Sequence, residues 1–165
     1  MDQQAIDVFW RAYLATLPAD APARSAAFVA ESFGDHPDLA DELAALVLAG
    51  VKTATCSALW EWEAEGASLP QVGLHTGVLD GQAAPLCIIE TTAVFICPYD
   101  QVDARFAWEE GEGDRSLAHW REAHARFFTR TLPAIGRTFT PDMPLLCERF
   151  RLVYRPGSAG DPHIR

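Results

Sequence analysis

Apolar residues recur at helical spacing along much of the chain, and they predict five helices. The clearest helix follows residue 34, because Pro37 suits a first helical turn and Gly50 suits the left-handed position just past the end. A glycine-rich acidic loop, EGEGDRS, precedes the last helix. The predicted helices cover 3–17, 24–33, 34–50, 101–108 and 117–130.

Strand patterns fill most of the remaining sequence. Short runs rich in β-branched and apolar residues are bounded by turn residues, such as the Asp80-Gly81 pair between two of them. Residues 59–67 fit either a short helix or an acidic loop. The predicted strands cover 53–60, 74–80, 85–96 and 145–154. Helices followed by strands, with one helix inserted, predict an α+β fold around a small, mostly antiparallel sheet or barrel.

Length and composition predict one folded domain. The chain has 165 residues, of which 49% are hydrophobic and 22% charged, as in globular proteins. We expect a single domain over 1–155 and a disordered tail over 156–165. The N-terminus has acids where a signal peptide needs basic residues, and no apolar run approaches the roughly 20 residues of a membrane span. These features predict a cytoplasmic protein.

Cysteine and histidine spacing predicts no metal site and no cofactor. The four cysteines form no C-x-x-C pair and no cluster with zinc-finger spacing. Cys87, Cys97 and Cys147 lie in or beside apolar runs, so we expect reduced thiols in the core. His119 and His124 share a helix but have no partner at metal-ligand spacing.

The net charge of −10 argues against a general nucleic-acid-binding protein. The charge is uneven: eight acids and two arginines over 1–50, six acids and one lysine over 51–100, and nine acids and ten arginines over 101–165 give −6, −5 and +1. An anion-binding surface would therefore draw on the C-terminal third, unless those arginines only pair with nearby acids.

Lys52 is the single lysine among thirteen basic residues, and it follows a predicted helix end. A desolvated lysine can act as a base, which an arginine cannot. Thr55 is a weak nucleophile unless a base removes its proton. In a flat strand Lys52 and Thr55 point to opposite faces, so pairing them requires a bend, which Gly50 favours. The alternative is an exposed lysine before a threonine-rich strand.

Two further segments carry candidate groups. Glu90 ends the apolar run LCII, where a buried carboxylate needs a partner such as Lys52; the alternative is a solvent-facing glutamate. The loop before the last helix fits an anion or base-binding site or ordinary helix capping. Several tryptophans fit base stacking or core packing, and Trp120 is expected in the core. The predicted substrate-binding residues are Gly50, Thr53, Ser57, Trp60, Glu112, Asp114, Arg115 and Ser116.

Three segments in order, LAGVKTATCSALW, LHTGVLDGQAAPLCIIETTAVFI and EGEGDRSLAHWREAHARFF, resemble the ASCH domain family, in particular its longer bacterial members with an extra N-terminal helix. The similarity runs from about Val8 to Tyr154. It implies a PUA-like barrel flanked by helices, a cleft beside the G-x-K motif and an association with RNA. Gly73-Leu74 stands where family members often have Gly-Asp, and Cys56-Ser57 stands where many carry an arginine.

The resemblance also implies chemistry. Some short members remove the acetyl group from acetylcytidine with a lysine, a threonine three residues later and a glutamate, which match Lys52, Thr55 and Glu90; some longer members degrade RNA. We therefore expect a metal-independent hydrolase acting on RNA or a modified nucleoside or nucleotide. The alternative is a non-catalytic RNA- or nucleotide-binding module. We expect no DNA specificity, no membrane partner, and a monomer or homodimer.

Overall fold

The computed structural model describes residues 2–157, so most of the predicted disordered tail lies outside the described residues. Helices and strands alternate in a mixed order that confirms the predicted α+β class. None of the helices within 2–157 combines the length and apolarity needed to cross a membrane. The helices are α1 (Gln3–Ala15), α2 (Pro37–Leu48), α3 (Leu59–Glu65), α4 (Ala104–Glu110) and α5 (Leu117–Thr131).

Five strands form one sheet in the order β1-β3-β4-β5-β2. The β1–β3 pair is parallel and the other pairs are antiparallel. The sheet is open, because β1 and β2 are its edges, so the barrel closure expected from the sequence is not present among the described residues. The strands are β1 (Phe28–Glu31), β2 (Ala54–Ala58), β3 (His75–Leu79), β4 (Pro85–Pro98) and β5 (Pro144–Tyr154).

One predicted element is wrong. Residues 24–33 were expected to be helical, but a 3-10 turn at Pro22–Ser25 leads into strand β1. The burial of β1 alternates residue by residue, which is the period of a strand. The alanines of this segment hide that alternation in the sequence, because alanine suits both the buried and the exposed positions.

Three apolar clusters cover the sheet. The largest packs α4 and α5 against β2 and β5, and it includes Trp120 at 2% exposure, which confirms the predicted core position. A second cluster packs α2 against β3, β4 and β5. The third packs α1 against the same sheet through Tyr13 and Ile88. The first and second clusters leave a gap between α2, α5 and β2, and Lys52 points into that gap.

Candidate functional site

Lys52 lies in the short irregular segment between α2 and β2. Gly50 has φ +70°, the left-handed conformation predicted for the residue past the helix end. The next turn is fixed by the backbone amides of Val51 and Lys52, which both donate to the Leu46 carbonyl, at 2.9 and 3.1 Å. This reversal sends the Lys52 side chain inward, where the residue is only 2% exposed.

The buried ammonium of Lys52 is held by two glutamates. Its Nζ atom lies 2.8 Å from Glu110 Oε2 and 3.0 Å from Glu112 Oε1, and it also donates to the Glu110 carbonyl at 3.5 Å. A lysine ammonium has three N–H donors, so these acceptors satisfy all of them. We call Lys52, Glu110 and Glu112 the lysine cluster.

Charge in the lysine cluster is compensated. Burial alone lowers the pKa of Lys52, but the carboxylates of Glu110 and Glu112 outweigh it and raise that pKa above its ordinary value. Burial likewise raises the pKa of Glu110, but Lys52 and His124 outweigh it and leave that pKa lowered. Lys52 is therefore an ammonium at neutral pH, whereas the sequence analysis considered it as a base that removes the Thr55 proton.

The same geometry answers why this position holds a lysine. An arginine would bring five N–H donors on a wider, planar group into a pocket whose acceptors match three donors. The remaining donors would be buried without partners, at a free-energy cost. Lysine therefore suits this site by its donor count and its size.

A close backbone approach brings both glutamates to Lys52. Helix α4 ends at Glu110, and Gly111 follows with φ +78°. A Cβ atom on Gly111 would lie 2.7 Å from the Val51 carbonyl oxygen, so only glycine permits this approach. The Thr53 amide donates to the Glu109 carbonyl at 2.7 Å and ties the two segments together.

Helix α5 and strand β2 complete the surroundings of Glu110. Trp120 Nε1 donates to Glu110 Oε1 at 3.1 Å, and His124 Nε2 lies 3.6 Å from the same oxygen. His124 Nδ1 lies 3.0 Å from the Trp120 carbonyl, which can only accept, so Nδ1 carries a proton. Burial, followed by the charge of Glu110, raises the pKa of the Cys56 thiol well above its ordinary value.

The lysine cluster forms part of the wall of a cavity of about 260 Å³, which we call the Lys52 cavity. Its apolar lining residues include Phe33, Leu43 and Phe127. Two arginines of α5 lie at its rim, and Arg130 joins Asp35 across the rim at 2.8 Å. The volume is close to that of the smallest ligand pockets, and it suits a single small group such as one base.

Thr55 shares this cavity but has no hydrogen bond to Lys52. It is the second residue of β2, beside Cys56, and both residues line the Lys52 cavity. Within residues 2–157, the hydrogen bonds of Lys52 Nζ go to Glu110 and Glu112. The bend at Gly50 thus brings Lys52 and Thr55 to one cavity without a hydrogen bond between them.

Glu90 lies elsewhere, which corrects the expected pairing with Lys52. Its Oε2 accepts two hydrogen bonds from Arg151, at 2.6 and 2.9 Å. Arg151 faces Glu90 because the two residues are register partners in the β4–β5 ladder. Glu110, which the candidate list omitted, occupies the place expected for Glu90. Its spacing of four residues from the buried Phe106 already marks the inner face of α4.

Glu90 lines a second cavity, of about 860 Å³, between β1, β3 and the loop 68–73. We call it the Glu148 cavity, because Glu148 of β5 contributes a carboxyl group with a raised pKa there. Burial raises the pKa of Glu148 to about 7, the hydrogen bond from Thr91 (3.2 Å) partly offsets this, and the charge of Glu31 adds to it. Glu148 is not among the candidate residues predicted from the sequence, because nothing in the run LLCERFRLVY shows which way its carboxyl group faces.

The other predicted substrate-binding residues have structural partners. Ser116 caps α5 by accepting from the His119 amide, and Asp114 accepts from the Ser116 amide, so ordinary capping describes this turn. The guanidinium of Arg115 stacks on Trp108 at 3.6 Å. The remaining contacts are Thr53 to the Glu109 carbonyl, Ser57 with Trp62, and Trp60 with Arg137. Of this set, Glu112 alone joins the lysine cluster.

Comparison with known proteins identifies the family. The sequence profile of the ASCH domain matches residues 29–154. The fold is similar to that of an ASCH domain from Lactobacillus crispatus JV V101, with a TM-score of 0.88, 38% identity and coverage of 94% of this chain and 97% of that one. Protein EF3133 from Enterococcus faecalis V583 is similar too, with a TM-score of 0.79, 36% identity and coverage of 98% and 99%. No curated protein matches the sequence. The chain belongs to the ASCH domain family.

Proposed function

We propose that the protein binds the base of a nucleoside, free or within single-stranded RNA, in the Lys52 cavity and hydrolyses an amide on that base. The observation that carries this proposal is the lysine cluster in the wall of a cavity that also contains Thr55. Buried ion pairs contribute little to stability on balance, whereas charged clusters in clefts are frequent in functional sites.

Size and charge favour a single base over a long polyanion. The cavity volume of about 260 Å³ leaves room for little more than one ring system with its substituent. The net charge of −10 disfavours strong, non-specific attraction to a phosphate backbone. The family's association with RNA supports a nucleoside as the ligand, and the glutamates offer acceptors for amino groups on a base.

The protonation of the cluster assigns the roles. Lys52 is an ammonium, so we assign the Thr55 proton to a carboxylate when Thr55 attacks the amide carbon. The resulting carboxylic acid gives this proton to the amine of the base as the C–N bond breaks, and water then hydrolyses the acyl ester left on Thr55. Glu112 is the suitable group, because its side chain is 21% exposed and that of Glu110 only 1%. When Glu112 releases Lys52, the freed N–H of Lys52 becomes available to the oxyanion that forms on the substrate.

A second candidate function is base binding without catalysis. It is favoured by the observation that every N–H of Lys52 already has a partner and that none of them contacts Thr55. In this case the lysine cluster only shapes the cavity and presents carboxylate acceptors to the ligand.

Measuring both the binding and the turnover of acetylcytidine distinguishes the two candidate functions. We expect the purified protein to release cytidine, as followed by liquid chromatography, and Thr55→Ala to abolish this release while ligand binding persists. Thr138→Ala, at an exposed threonine, serves as the matched control and retains activity. Binding of the nucleoside without turnover in the wild type supports the second candidate. Absence of both binding and turnover, for acetylcytidine and for single-stranded RNA, contradicts both.

A further inference from the structure

Three potential metal ligands converge beside the lysine cluster although they are distant in sequence. Cys56 comes from β2, Glu110 from the end of α4 and His124 from α5. One ligand atom from each lies within 4.8 Å of the other two. We propose that Cys56, Glu110 and His124 form a binding site for a divalent transition-metal ion of the Zn²⁺ type.

The distances suit a shared ion. Zn²⁺ binds nitrogen and carboxylate oxygen at about 2.0–2.2 Å and sulfur at about 2.3 Å. In the tetrahedral geometry of Zn²⁺, nitrogen and oxygen ligand atoms therefore lie about 3.4 Å apart, and sulfur lies about 3.6 Å from either of them. His124 Nε2 and Glu110 Oε1 are 3.6 Å apart. The Cys56 sulfur lies within 4.8 Å of both other ligand atoms, so it needs to move by about 1 Å at most to share the ion with them.

The tautomer of His124 supports the same interpretation. Its Nδ1–H donates to the Trp120 carbonyl at 3.0 Å, which leaves Nε2 as the atom that faces Glu110 and Cys56. Metal-binding histidines typically donate their other ring N–H to a carbonyl or carboxylate in this way. Without a second proton or an ion, the lone pair of Nε2 would face a carboxylate oxygen, which is unfavourable.

Hydrogen bonds also hold the carboxylate of Glu110 in place. Trp120 donates to Oε1 and Lys52 donates to Oε2, as expected for the carboxylate ligand of a metal ion. Oε1 keeps one lone pair for the ion, because Trp120 occupies only the other.

Charge and access are compatible with the ion. Binding releases the Cys56 proton to solvent. The site then holds three positive charges, two on the ion and one on Lys52. Three negative charges, on the Cys56 thiolate and on the carboxylates of Glu110 and Glu112, balance them. All three ligands line the Lys52 cavity, so a fourth position opens toward it. A thiolate, an imidazole and a carboxylate together favour Zn²⁺ over Mg²⁺ or Ca²⁺.

The site escaped the sequence analysis because its ligands have no short spacing. His124 was considered only with its neighbour on the helix, and Cys56 lies far from both partners along the chain. The site does not depend on the proposed hydrolysis, since metal binding is measured without a substrate.

Metal titration of the tag-free full chain, stripped with a chelator, tests the site. We expect Zn²⁺ to compete with a chromophoric chelator at one ion per chain, and Co²⁺ to give a thiolate-to-metal charge-transfer band. Cys56→Ser should remove that band and weaken Zn²⁺ binding at least 10- to 100-fold, the range known for outer-sphere changes. Cys97→Ser, at a cysteine outside the cluster, is the matched control and should bind as the wild type does.

Two outcomes overturn the proposal. One is a wild-type chain that binds no Zn²⁺ or gives a Co²⁺ spectrum without a thiolate band, which is decisive even if a variant fails to fold. The other is equal Zn²⁺ affinity for folded Cys56→Ser and Cys97→Ser, with folding checked by circular dichroism.

Discussion

The Lys52 cavity contains the buried carboxyl group of Glu110, the Glu148 cavity contains the half-buried carboxyl group of Glu148, and the two cavities differ in how the charge is compensated. In the smaller cavity, Glu110 and Glu112 share one ammonium, and the shifted pKa values of Lys52 and Glu110 both favour the charged forms. In the larger cavity, Glu148 accepts one hydrogen bond from Thr91 and forms no ion pair within residues 2–157, and burial raises its pKa to about 7. A carboxylate is therefore fixed in one cavity and titratable in the other.

The difference has consequences for function. A fixed cluster offers a preorganised charge pattern that does not change around neutral pH, which suits recognition and oxyanion stabilisation. A carboxyl group with a pKa near 7 can exchange a proton with a ligand under ordinary conditions, which suits general acid–base chemistry. Glu148 is also the register partner of Thr55 on β2, so one residue of each cavity lies side by side across the β2–β5 ladder.

Replacing Lys52 should have the largest effect. Lys52→Met leaves Glu110 and Glu112 without their cation, and breaking a buried pair in this way costs about 3–5 kcal/mol in the free energy of unfolding. Chemical denaturation monitored by circular dichroism measures the loss. Arg151→Met breaks the Glu90 pair of the other cavity, where the arginine is 58% exposed, and should cost less than about 1 kcal/mol. Equal losses of unfolding free energy for the two variants would show that the buried ion pairs of the lysine cluster stabilise the fold no more than an exposed ion pair does.

Lys52→Arg tests whether the donor count determines the choice of residue. The positive charge remains, but the wider guanidinium has more N–H donors than the pocket has acceptors. Overpacking and unsatisfied donors should together cost about 2 kcal/mol. A denaturation midpoint equal to that of the wild type would mean that the positive charge alone is required here.

The sequence predicted the helices and strands better than it predicted which charged side chains pair. Helix α2 and Gly50 follow from local rules of capping and periodicity, so the position of Lys52 just past a helix end was foreseeable. The pairing of Lys52 with Glu110 depends on how α4 meets the segment before β2, 58 residues apart in sequence. Glu90 was predicted to pair with Lys52 only because the two charges are opposite. Its actual partner, Arg151, follows from the register between β4 and β5, and no short stretch of the sequence indicates that register.

Glu148→Gln should produce a pH-dependent gain in stability. The native state holds the Glu148 proton up to about pH 7, whereas the unfolded state loses it near pH 4.3, so this glutamate lowers stability as the pH rises between these values. The glutamine variant should match the wild type at pH 4. Above pH 7 it should be more stable by about 1–2 kcal/mol, after allowance for the partial exposure of the group.

Denaturation at pH 4, 6 and 8 measures this difference, and carbon-13 NMR of the carboxyl group reports the pKa directly. A Glu148 pKa near 4.3 would remove the distinction between the two cavities. A gain that is equal at all three pH values would assign the effect to packing.

Ser116→Ala should give the smallest loss of stability. It also tests whether a change next to the Lys52 cavity leaves the Glu148 cavity unaffected. Ser116 caps α5 directly after the loop that carries Glu112, and its hydroxyl accepts from the His119 amide at 3.1 Å. Losing this cap should cost about 1 kcal/mol in the free energy of unfolding, and Ser116→Gly only a few tenths.

Because Glu112 of this loop lines the Lys52 cavity, amide hydrogen exchange should rise at residues 111–119 in the Ser116→Ala variant. The Glu148 pKa should stay at about 7 in the same variant, since no contact of Ser116 reaches that cavity. A shifted Glu148 pKa would show that the two cavities are coupled through the sheet.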